Sequence, residues 1–177
     1  MKKALVLLLV LALMLTGFYG KAKGINSPVT VTAYPNTAGS YATFTITFTM
    51  INLVPASTGW ITLTFPLGFT VPSGPINTSY VTVQAGGFIS LVSVTGSGQQ
   101  ITIVPSVLMN SGPVHISISN LAYIRNPAAG GTYPNFLVAN STGEPAGTGS
   151  IIIQSAVQNV NVLVNPLNAG SVADYTI

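Results

Sequence analysis

The sequence predicts an all-β chain folded as an antiparallel sandwich, and three observations carry that expectation. From Ser27 onward, apolar and hydroxyl-bearing residues alternate with a period of two, the spacing of a half-buried strand. Clusters of Pro, Gly, Asn and Ser interrupt the alternation at short intervals, as turns do. Finally, Val160–Ile177 lies without a gap over Val29–Ile46, each residue matching the one 131 positions earlier, and nine of the eighteen pairs are identical. A match of that kind marks a repeated structural unit.

Residues 1–24 read as a secretion signal. Lys2 and Lys3 form its basic start, Ala4 to Leu15 its apolar run, and Ala22 or Gly24 its cleavage site. A membrane span takes about 20 residues, longer than this run. An uncleaved N-terminal anchor is the alternative, so membrane contact is expected only through this segment. With no Cys anywhere, lipoprotein anchoring, disulfides and thiolate metal sites are all excluded.

The first strand is placed at Val29–Tyr34 and the second at Thr43–Met50, where Phe44, Ile46, Phe48 and Met50 alternate with four threonines. The same alternation places strands at Ile61–Phe65, Val81–Val83, Ile101–Ile103 and Val114–Ser119. Threonine suits such strands because it is β-branched, and its hydroxyl keeps an outer face wet without charge. Closing strands are expected around Tyr133–Ala139 and Ser150–Gln154. Turns are read at 35–39, 72–75, 96–98, 110–113 and 126–131, and no amphipathic helix can be placed after the signal. The chain thus divides into the signal (1–24), one sandwich module (25–155), and a linker with the truncated start of a second, homologous module (156–177). About seven to nine strands with turns every ten or so residues fit the immunoglobulin-like type of sandwich.

Charge is scarce. Removing residues 1–24 takes four lysines from a chain of net charge +3, leaving Arg125, Glu144 and Asp174 and a net charge of −1. No basic surface remains for nucleic acid or anionic lipid. Soluble domains carry about a quarter charged residues and use some of them to block sheet edges. Here Pro, Gly and polar residues, glycans or neighbouring modules must do that work.

Pro35-x-x-Ala38-Gly39 with the Thr-rich strand after it, Gly59-Trp60-Ile61-Thr62-Leu63-Thr64-Phe65-Pro66-Leu67-Gly68-Phe69, Ile124-Arg125-Asn126-Pro127 and Gly131-Thr132-Tyr133 together resemble a prokaryotic module. It is the tandem immunoglobulin-like repeat of S-layer-associated and other cell-surface proteins. The resemblance spans nearly all of the chain after the signal and rests on turn and core residues. It implies an extracellular scaffold with no catalytic residues to transfer. Acidic residues, common in such modules, are nearly absent here, which weakens any carry-over of calcium binding.

The chemical inventory points the same way. His115, the one histidine, falls on the polar face beside Ser117, and a hydrolytic triad would need a nucleophile and an orienting carboxylate beside it. Glu144, in a turn-rich stretch, is the one carboxylate of the module, and no Gly-x-Ser-x-Gly sequence occurs. Calcium wants six to eight oxygens, normally with several carboxylates. No catalytic residue, metal ligand or cofactor is therefore assigned. Trp60, the one tryptophan, sits at a strand entrance or on the outer face, where an aromatic ring can stack on a sugar. Asn77 and Asn140 begin Asn-x-Ser/Thr sequences and are candidate glycosylation sites.

The function expected is that of a non-catalytic structural or adhesive module, a tandem spacer in a secreted or cell-surface protein. Its partners would be neighbouring modules of the same chain or identical subunits, with a cell-envelope polymer or glycan as a further ligand. A filament subunit with Val160–Ile177 as a C-terminal donor strand is one alternative. A carbohydrate-binding module built on Trp60 is another.

Overall fold

A computed structural model describes residues 25–156, 163–165 and 174–176. The expected signal and most of the expected linker and second module lie outside the described residues. Eleven strands form two antiparallel sheets around one core. The chain supplies them in the order β1 (Asn26–Tyr34), β2 (Thr43–Met50), β3 (Ile61–Thr64), β4 (Gly74–Ile76), β5 (Val81–Gln84) and β6 (Phe88–Ile89). Then come β7 (Leu91–Ser97), β8 (Gln100–Pro105), β9 (Gly112–Ile118), β10 (Gly131–Asn140) and β11 (Gly147–Ile153). One sheet has the order β1-β2-β9-β5-β6 and the other β11-β10-β3-β8-β7-β4. Among the described residues helix is limited to two three-residue 3-10 turns, and no helix there is long and apolar enough to cross a membrane.

Alternation becomes layering as expected. In β2 the apolar residues at even positions are buried and the threonines between them are not. Ile61 and Leu63 of β3, Ile101 and Ile103 of β8, and Val114, Ile116 and Ile118 of β9 face the same core. Phe44, Phe65, Phe69, Phe136 and Tyr133 form an aromatic chain across it, with edge-on contacts such as Phe65–Phe136 at 5.1 Å. Thr62 departs from the simple pattern: it is buried, because β3 is central and flanked by Thr102 of β8 and Ala139 of β10.

Three strands, β4, β6 and β7, exceed what alternation reveals. Gly74–Ile76 lies across the stretch read as a turn, and Gly96 and Ser97, also read as turn, belong to β7. Glycine is needed at 96 because a Cβ there would strike the backbone of Pro72. The turn proper is carried by Gly98, whose φ is +60°.

The sheet edges explain how so few charges suffice. β1 and β11 close against each other, so tightly that a Cβ on Gly149 would strike the carbonyl oxygen of Val29. Beyond them, Thr37 forms a parallel bridge with Gln154. At the opposite side β4 is three residues long and contains Pro75, while β6 has two residues. Short edges and proline leave little backbone to template further pairing.

After the sandwich, β12 (Leu163–Asn165) pairs antiparallel with β13 (Asp174–Thr176). The partners are Leu163↔Thr176, Val164↔Tyr175 and Asn165↔Asp174. In β1 and β2 they are Thr32↔Thr45, Ala33↔Phe44 and Tyr34↔Thr43, the same register 131 residues earlier.

Candidate functional site

The chain enters the sandwich at one end and leaves at the other. Ile25 N–H donates to Pro145 O at the proximal end, which is built from residues 51–60, 105–111 and 141–146. The distal end comprises residues 35–42, 65–73 and 119–130, and there Gln154 N–H donates to Asn36 O while Gln154 O accepts from Ala38 N–H.

Glu144 holds the proximal loops together. Its Oε1 accepts from the backbone N–H groups of Ile51, at 3.1 Å, and Asn52, and its Oε2 accepts from Asn140 Nδ2 at 3.1 Å. Asn140 Oδ1 in turn accepts from Thr142 N–H and the Thr142 hydroxyl. The carboxylate is buried and its oxygens are spent on donors from the 51–52 loop and the end of β10. That is a structural acceptor's arrangement. Asn140 is 4% exposed with its amide nitrogen committed to Glu144, so an N-linked glycan there would break this network. Asn77 is exposed, its Oδ1 capping a 3-10 turn by accepting from Ser79 N–H at 3.0 Å.

Trp60 lies at the proximal end just before β3, 37% exposed. Its N–H donates to Ser141 Oγ and its carbonyl accepts from Ser141 N–H. Among the described residues it has no aromatic neighbour, so Tyr34, Tyr41 and Tyr80 do not join it in a platform.

His115 stands on the outer face of the five-stranded sheet. Register sets it in a row running Thr30, Thr47, His115, Gln84, Phe88 across five strands. Beside the row runs an open groove of about 690 Å³, bordered by the Gly86-Gly87 turn, Pro28, Pro113 and the 78% exposed Phe88. Its lining offers threonine hydroxyls, the amide of Gln84, the imidazole of His115 and the exposed ring of Phe88. Among the described residues no three of His, Cys, Asp and Glu gather where they could hold a metal ion. Sequence reasoning singled out His115 but not Gln84 or Phe88, whose place beside it depends on β5 and β6 joining β9.

The distal end is where the resemblance motifs meet. Asn126 Nδ2 donates to the carbonyls of Pro35, at 3.0 Å, and Thr37, at 2.9 Å, and Arg125 Nε donates to Gly39 O at 2.7 Å. Gly39, at φ +74°, makes the turn that presents those carbonyls. Around this scaffold Tyr34, Tyr41, Leu67, Leu121 and Tyr123 are exposed, with Tyr41 and Tyr123 in edge-on contact at 5.8 Å.

No protein-family profile matches the chain, and no curated protein matches it. Among solved structures the chain is similar to that described as the crystal structure of BslA, a bacterial hydrophobin. The TM-score is 0.47 at 22% identity, covering 73% of this chain and 97% of BslA.

Proposed function

We propose that the chain is an extracellular structural protein whose sandwich is one unit of a tandem, immunoglobulin-like array serving as a spacer or adhesive scaffold. The observation that carries this reading is the shared register of the two hairpins at an offset of 131 residues. The identical positions are those the fold needs: Val29, Val31, Ala42 and Ile46 are buried, and Gly39 makes the turn. The immunoglobulin-like assignment is supported by strand order. β1-β2-β9-β5 follows the A-B-E-D order and β11-β10-β3 the G-F-C order, with β4 and β6–β8 as additions between C and E. The signal-like N-terminus supports export.

The pairing of 163–165 with 174–176 favours the array over the donor-strand filament. A donor strand must be free to pair with a neighbour's sheet, and the seat that Val160–Ile177 would copy is already filled by β1 and β2. Electron microscopy of the mature protein tests the reading: beaded rods of sandwich-sized units are expected. Single compact particles would sink it.

Glycan binding is a second reading, and the groove serves it better than Trp60 does. A lone ring at a loop end offers one contact, whereas Phe88 with His115, Gln84 and Thr47 offers an apolar face beside hydrogen-bonding groups. Affinity electrophoresis in neutral polysaccharide gels should then show retardation lost in Phe88→Ala and kept in Trp60→Ala. Equal migration with and without polysaccharide removes this reading.

A further inference from the structure

The 131-residue offset leaves no spacer between one unit and the next, and this inference rests on the tandem reading above. Ile25, seated at the proximal end, has Ala156 as its counterpart. Gln154, two residues earlier, is bonded into the distal end. Two residues of extended chain span at most about 7 Å. The proximal end of the following unit must therefore begin against the distal end of this one.

The surface that meets it there is apolar. Of the twelve large hydrophobic side chains exposed among the described residues, nine lie at the two ends and three, Phe88, Val92 and Ile152, on the flanks. The distal end shows Tyr34, Tyr41, Leu67, Leu121 and Tyr123, and the proximal end Leu53, Trp60, Val107 and Leu108. Leu53 and Leu108 flank the Val54–Met109 bridge, whose own side chains are buried, so alternation turns both leucines outward. Neither end repels the other by charge. Arg125 is the distal end's one formal charge, and the proximal end's is the buried Glu144. The hairpin itself does not require the tyrosines either: Tyr34 and Tyr41 correspond to Asn165 and Val172 in the second copy, although the core and turn residues around them are retained.

We propose that the distal end is a docking surface for the proximal end of the next unit of the same chain, with Tyr34, Tyr41, Leu121 and Tyr123 as its anchors. A modest contact suffices, because a direct covalent join holds the two ends at a high effective concentration. The array would then be a stack of end-to-end units with restricted hinging rather than loosely strung beads.

Hydroxyl-radical footprinting of the full-length mature protein reads this contact, with each side chain normalised to its rate in denatured protein. Tyr34, 83% exposed, and flank residue Phe88, 78% exposed, are matched in the isolated sandwich. Docking is expected to slow oxidation of Tyr34, Tyr41 and Tyr123 several-fold relative to Phe88, at any protein concentration. Equal protection of Tyr34 and Phe88 overturns the proposal, and so does protection that appears only on concentrating the protein, which assigns the surface to a second chain. In a Tyr41→Ser/Tyr123→Ser variant, protease cleavage within residues 155–162 should rise several-fold with little change in the melting temperature of the sandwich. An unchanged cleavage rate counts against docking. The residues beyond Ile177 test the tandem reading separately, so an unprotected distal end in a chain that continues into a second unit refutes the contact alone.

Discussion

The flanks and the ends of this sandwich solve different problems with different residues. On the flanks, threonine and serine face water from both sheets, and among the described residues the large apolar side chains exposed there are Phe88, Val92 and Ile152. At the ends, a few polar side chains lock loops internally while leucine, valine, tyrosine and tryptophan face outward. Uniform solvation would favour one surface composition throughout. The contrast is the one expected if water is the neighbour of the flanks and, on the proposal above, a further unit is the neighbour of the ends.

That contrast can be broken from the inside first. Glu144→Ala removes the acceptor for three donors, the part-buried backbone N–H groups of Ile51 and Asn52 and the buried amide of Asn140 at the end of β10. Each orphaned donor costs about 1–3 kcal/mol, so a loss of roughly 3–5 kcal/mol is expected in urea denaturation. A change below about 1 kcal/mol would mean that the loops hold without it. Next is the seam where the sheets close: Gly147→Val drives a side chain into Ile25 and Val29, and overpacking of this kind costs about 1–3 kcal/mol. Wild-type stability there would show that β1 and β11 are farther apart than described.

Smaller effects sharpen the comparison at the surface. Tyr41→Ser dissolves one edge-on pair of exposed rings, worth about 0.5 kcal/mol to the sandwich itself, and should act mainly on contact made at the distal end. Thr32→Lys on the flank should change stability by no more than about 0.5 kcal/mol, because an exposed flank position has only water to lose. If the flank substitution were the more disruptive of the two, the assignment of contact to the ends would be reversed.

Much of this architecture was legible because alternation is a local signal. Phe44, Ile46, Phe48 and Met50 announce both their strand and its buried face. β4 and β7 were hidden where Pro75 and Gly96 imitate turn residues, although proline marks an edge strand and the glycine accommodates a carbonyl. The surface sites were harder to read, because partners distant in sequence create them. Glu144 lies four residues from Asn140, but nothing there signals that it also binds the 51–52 backbone more than ninety positions away, and nothing near His115 signals Phe88. Trp60 was conspicuous as a residue type, yet the aromatic grouping that did form, Tyr41 with Tyr123, joins loops eighty-two positions apart.

The central claim is that residues 156–177 open a second unit of the same fold. Peptide mapping of the mature protein by mass spectrometry, extended past Ile177, tests it most directly. The expected result is sequence continuing into an alternating, threonine-rich strand like Thr47–Phe65, at the same 131-residue offset. Ile177 found as the natural C-terminal residue would contradict it.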